Sequence, residues 1–167
     1  MKRLVLLLGA VMLAGTTQLA AQQAPPTFET SVFNTWKSLH DKILVMAKDT
    51  VFPDEKLGSK PHPDSRTVLE EFRHVTIGLE MTSALLAGQK FDYNARVKAD
   101  ESKPKTRASV VAEMEKAMAA SYELVKTNPK PLLIGWIDHQ AEHYGKLVSN
   151  YRMNNIVPPI SRPKGGF

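Results

Sequence analysis

Apolar residues recur at steps of three or four in four separate stretches of the chain, a period that belongs to one face of an α-helix. In the first stretch, about Phe28 to Asp49, the positions are Val32, Trp36, Leu39, Ile43 and Ala47. A turn-rich segment from Phe52 to Arg66 follows, where Pro53, Pro61 and Pro63 stop a helix and bias the residue before each toward extended backbone. The second helix starts at Thr67, because Thr67-Val-Leu-Glu70 has the form of a capping box. It runs to about Ala87, and Gly88 suits its end. Residues 89–105 are polar and read as irregular. The third helix, about Thr106 to Lys126, carries Val110, Met114, Ala117 or Met118, Ser121 or Tyr122, and Val125 on one face. Asn128-Pro-Lys-Pro131 then breaks the chain, offering an N-cap and a first-turn proline to a fourth helix that ends near Met153. No stretch alternates with period two over a useful length. The expected fold is all-α, a four-helix bundle whose longest connection joins the second and third helices.

The N-terminus stands outside that pattern. Met1-Lys-Arg3 is positively charged, and the apolar run from Leu4 to Gly15 is too short to span a bilayer. Small and polar residues follow to Ala24, so the order is that of a secretory signal peptide with its best exit after Ala21. The expected division is a signal peptide over 1–21 and a bundle domain over 22–167, in a protein exported to the periplasm or secreted, with no membrane insertion after cleavage. An uncleaved anchor is the alternative. Of the net charge of +5, Lys2 and Arg3 supply two, which leaves about +3 on the mature chain and little pull on an acidic partner. Lys98, Lys103, Lys105 and Arg107 cluster loosely, but Asp100 and Glu101 interrupt them and no aromatics interleave, so they read as a solvated loop and not a nucleic-acid site. The absence of cysteine removes thiol chemistry and thiolate ligands, so a metal here is held by nitrogen and oxygen.

Five histidines are present: His40, His62, His74, His139 and His143. His139 and His143 are four apart in the fourth helix, so both imidazoles share a face and can reach one point. No glutamate follows His139, so the metalloprotease pattern H-E-x-x-H is not met. On a helical wheel Leu133, Ile137, Tyr144, Val148 and Tyr151 form the apolar arc, and the pair sits at its edge with Leu132 and Trp136. A pair without metal is the bland alternative. In the second helix Arg73, Thr76, Glu80 and Ser83 make a polar stripe. His74 points away from that stripe, toward Ile77, Met81 and Leu85, and Gly78 one turn on leaves room beside its ring. One inward histidine is more often a hydrogen-bonded core residue than a ligand. Three on two helices make a candidate metal site of His74, His139 and His143, because bundle interiors are where facing helices build such sites. Glu70 reads as a capping residue, Asp138 and Glu142 as solvated, His40 as structural and His62 as part of a turn.

These residues resemble the DinB-like superfamily of small bacterial metal-binding bundles. The resemblance is carried by Ile137-Asp-His-Gln-Ala-Glu-His-Tyr-Gly145, by Tyr151-Arg-Met-Asn-Asn-Ile-Val-Pro-Pro159, and by His74 within Glu70-Glu-Phe-Arg-His-Val75. It implies an up-down-down-up bundle and a three-histidine site for zinc or nickel. Some members are thiol-dependent transferases or isomerases of the cytoplasm, which an exported chain would not match. Three histidines leave a coordination position open, as in catalytic zinc sites, where the ion lowers the pKa of a bound water. The expected function is therefore a metal-dependent hydrolase or transferase acting on an unknown small molecule. The alternatives are a non-catalytic metal- or ligand-binding bundle of the cell envelope and, further off, an interaction protein with structural histidines. No convincing general base is legible, Glu70 and Glu142 being the nearest carboxylates. Substrate and oligomeric state, a homodimer included, stay open. N-terminal sequencing of the protein recovered from cell fractions should find a start between about Ala20 and Ala24; an intact Met1 in a soluble cytoplasmic fraction contradicts export.

Overall fold

A threonine opens three of the helices. The hydroxyls of Thr27, Thr67 and Thr106 accept from the backbone N–H of Thr30, Glu70 and Ser109, satisfying donors that a helix start leaves orphaned. At Thr67 the capping box is complete, because the Glu70 carboxylate also accepts from Thr67 N at 2.8 Å. The computed structural model describes residues 25–163, and the expected signal peptide, 1–21, lies outside them. The described residues form five helices and no strand: α1 (Phe28–Lys48), α2 (Val68–Leu86), α3 (Tyr93–Glu101), α4 (Arg107–Thr127) and α5 (Leu132–Met153). None of these helices is long and apolar enough to cross a membrane.

The periodic positions meet in one core. Val32, Trp36, Leu39, Ile43 and Ala47 of α1 and Val110, Met114, Ala117, Met118 and Val125 of α4 are all buried there. Both α1 and α2 pack on both α4 and α5. The buried Trp36 indole donates to Ser121 Oγ at 2.8 Å, which accounts for a polar residue on the inner face of α4. Gly88, at φ +71°, ends α2 in a Schellman turn, with Gln89 N donating to Ala84 O.

Four local expectations are corrected. Residues 89–105 are not irregular, because they contain α3. That helix buries no side chain of its own and so lacks the apolar stripe that marks the others. It is capped by Asp92 and fastened by charge: Asp100 takes the Arg73 guanidinium, and Arg96 reaches Glu80 of α2 and Glu113 of α4. The stripe read as solvent-facing on α2 is therefore partly interior, with Arg73 and Thr76 buried, while Leu85 is exposed. Asn128 does not cap α5. It ends α4 and donates to Leu86 O at 3.0 Å, while Pro131 stands at the N-cap of α5 without a side-chain bond. Nor is the basic cluster only a solvated loop. Lys103 pairs with Glu113, and Arg107 donates to the carbonyls of Ala47, Asp49 and Phe52, closing the C-terminal end of α1.

His40 is structural, as expected. Its Nδ1–H donates to Trp36 O at 2.7 Å, while its Nε2 is buried without a partner. Burial lowers its pKa from 6.5 to about 4. The unfolded chain thus takes up this proton before the folded one does. The stability associated with neutral His40 is complete above the unfolded value of 6.5 and is lost as pH falls toward about 4. Urea unfolding of metal-free protein should show lower stability at acid pH than at neutral pH, by at most about 1.4 kcal/mol per unit from this residue. The His40→Gln variant should show a smaller difference between the two conditions.

Candidate metal centre

The capping box sets where α2 begins, and so which residues of its first two turns face α5. Glu71 and His74, three apart, share that face. On α5 the facing residues are His139, Gln140 and His143. His143 is buried near the middle of the inner face, not at its edge, and His139 is half-exposed beside Trp136.

His74, His139 and His143 each offer one nitrogen, and these three atoms lie within 4.8 Å of one another. The His143 and His139 Nε2 atoms are 3.2 Å apart. Two imidazole nitrogens each about 2.0–2.1 Å from a tetrahedral zinc stand about 3.3 Å apart, so the pair already has the bite of one ion. The rings of His74 and His143 are 4.5 Å apart between centroids. The three histidines are thus close enough to hold a metal ion.

The outward nitrogens are also placed. His143 Nδ1–H donates to the Glu71 carboxylate at 2.8 Å, with both side chains buried. That bond fixes the ring and leaves the Nε2 lone pair pointing at its histidine neighbours, the arrangement that holds metal-binding imidazoles in their working tautomer. His74 Nδ1 is 3.2 Å from the Tyr93 hydroxyl at the start of α3. Burial, the positive charge of Arg66 and the nearby His143 lower the His74 pKa from 6.5 to about 4. Burial and His143 lower that of His139 as well. These rings are neutral at neutral pH and free to donate their lone pairs to a metal. Burial pushes the Glu71 carboxyl up, but the hydrogen bond and charge of His143 outweigh it and hold the group below the ordinary carboxylate value.

The candidates from sequence fall in two groups. His74, His139 and His143 come together. His62 stays in its turn, accepting from Asp64 N, while Asp138 and Glu142 are exposed and Glu70 serves the cap. Gly78 does not make room for the His74 ring. A Cβ there would run into the Gln140 amide, whose Nε2 donates to Val75 O at 3.3 Å. Glu71 and Tyr93 were not singled out by the sequence. The Glu71-x-x-His74 spacing carried a signal for the first; nothing did for the second, since α3 has no legible period.

A cleft of about 410 Å³ opens beside His74, between α2, α3 and the turn before α2. Expected metal affinities follow from the geometry. His143→Ala should lose most of the zinc affinity read by chelator competition, and Glu71→Gln about 10–100-fold, because it loosens His143 without removing a ligand. His40→Ala should change neither.

Compared with models of known protein families, with curated proteins and with solved structures, the chain gives no match.

Proposed function

We propose that this chain is an exported member of the DinB-like superfamily and a metal-dependent hydrolase or transferase acting on a small molecule. In this reading the four long helices make an up-down-down-up bundle. The short link 128–131 supports α5 running antiparallel to α4, and the long connection carrying α3 supports a crossover between α2 and α4. The observation that carries the functional reading is the convergence of three imidazoles, one of which, His74, lines an open cleft. A set of three histidines suits zinc or nickel, and such an ion when bound supplies a Lewis acid with a coordination position left for a small molecule. Glu71 and Tyr93 hold two of the ligand rings in register, and the cleft beside His74 gives the small molecule a way in.

One observation favours the alternative, a non-catalytic metal- or ligand-binding bundle of the cell envelope. The carboxylates nearest the site are engaged, Glu71 with His143 and Glu70 with its own helix start, so neither is a free base. Mass-spectrometric metal analysis of the purified protein should find about one zinc or nickel per chain, and none in the variant with His74, His139 and His143 all changed to Ala. Zinc-loaded protein should then turn over one of a panel of esters, amides and phosphate esters, in a manner abolished by chelation and restored by zinc. Stoichiometric metal with no turnover across the panel supports the alternative; equal metal in the triple variant rejects both readings.

A further inference from the structure

Arg73, Arg96, Arg107 and Arg162 each sit against a carboxylate. Arg66 and Arg152 do not: both are exposed, with no carboxylate ion pair among the described residues, and of the two only Arg66 shares a cleft with His74. Its backbone is nonetheless held from both sides. Ser65 N donates to His62 O, Thr67 N to the Glu70 carboxylate, and Val68 N to Ser59 O. The backbone around it is thus held at the start of α2, and its side chain borders two clefts. One, of about 410 Å³, is lined by His74; the other, of about 450 Å³, is lined by Glu71. Exposed itself, it shares one cleft with a histidine of the cluster and the other with the carboxylate that holds His143, so it borders the cluster on the solvent side.

A cation beside a cation site is electrostatically unfavourable, because the two charges repel across a partly desolvated gap. An anion between them reverses the sign of both interactions. The guanidinium is the group suited to that task, since its planar fork meets a carboxylate with two parallel hydrogen bonds. The same cleft has an apolar wall in Ile77, Val97 and the Tyr93 ring, its lining also includes Lys105 and the carboxylates of Asp64, Glu70, Asp100 and Glu101, and its volume lies in the range of small-molecule sites.

Resting on the metal-site reading above, we propose that the small molecule is an organic carboxylate. Arg66 binds its carboxylate group while a second donor group of the same molecule reaches the open position at His74, His139 and His143. A short hydrocarbon body lies along Ile77 and Val97. Arg66 is then the residue that selects anionic from neutral ligands, and it is not a ligand of the metal.

The test uses two zinc-binding probes that differ only in charge. Succinic monohydroxamate and butyrohydroxamate have the same chain length and the same metal-binding head, and only the first ends in a carboxylate. Calorimetric titration of the zinc-loaded protein should show the carboxylated probe binding about tenfold more tightly, and Arg66→Ala should reduce that preference to less than about threefold. Butyrohydroxamate affinity should be the same in both proteins. The Arg66→Lys variant should keep part of the preference, a point charge without the fork. Zinc affinity, read first by chelator competition, should hold or rise in Arg66→Ala; a fall overturns the inference by making Arg66 a support of the metal site. Equal binding of the two probes to the native protein, or an equal preference in Arg66→Ala, overturns it and leaves the metal reading standing. A native protein that takes up no zinc overturns both.

Discussion

The hydrogen bond between Glu71 and His143 is the contact around which the functional half of this protein is arranged. A carboxylate and an imidazole that are both buried have each lost their water, and their bond at 2.8 Å is what compensates. Removing either partner leaves the other buried and unpaired, so the two helices that carry them cannot slide or rotate past each other cheaply. α2 and α5 are thereby locked with His74 facing His139 and His143. The same bond dictates which nitrogen of His143 remains available. Position and chemistry of the cluster thus depend on one pair.

Around that seam the molecule divides its labour. Stability comes chiefly from an apolar core drawn mostly from α1, α2 and α4, to which α5 contributes Leu133, Leu147 and Tyr151 as its fully buried apolar residues. The middle of the inner face of α5 is polar instead, with Gln140 and His143 buried between those anchors. α3 shows a different economy. It buries no side chain and is held to the bundle through Arg73 with Asp100 and through Arg96 with Glu80 and Glu113, yet it delivers Tyr93 to His74. A helix held by ion pairs rather than by packing is more sensitive to salt than the core beside it.

What was legible in the sequence follows the same division. The four long helices could be read because each buries a periodic apolar stripe, and the capping box at Thr67 placed the start of α2 to the residue. The His139–His143 pair could be read because i and i+4 share a helix face whatever the tertiary structure. α3 could not, since charge pairing leaves no period. The burial of Arg73 within the polar stripe was not legible for the same reason, because a face covered through ion pairs still looks polar in sequence. Of two adjacent glutamates, only the cap role of Glu70 is local; the task of Glu71 depends on a residue 72 positions away, and no pattern on α2 alone reveals it. Topology and function lie further still from local signals.

The Gly78–Gln140 contact reaches beyond packing. Gln140 lies between His139 and His143 along α5, and Gly78 lies one turn beyond His74 on α2. Between the two parts of the histidine cluster, one amide thus rests on bare backbone. A side chain at position 78 would have to displace that amide, which is buried and bonded to Val75 O. The seam beside the three histidines can then change in evolution, or by design, through position 78 with every histidine left in place.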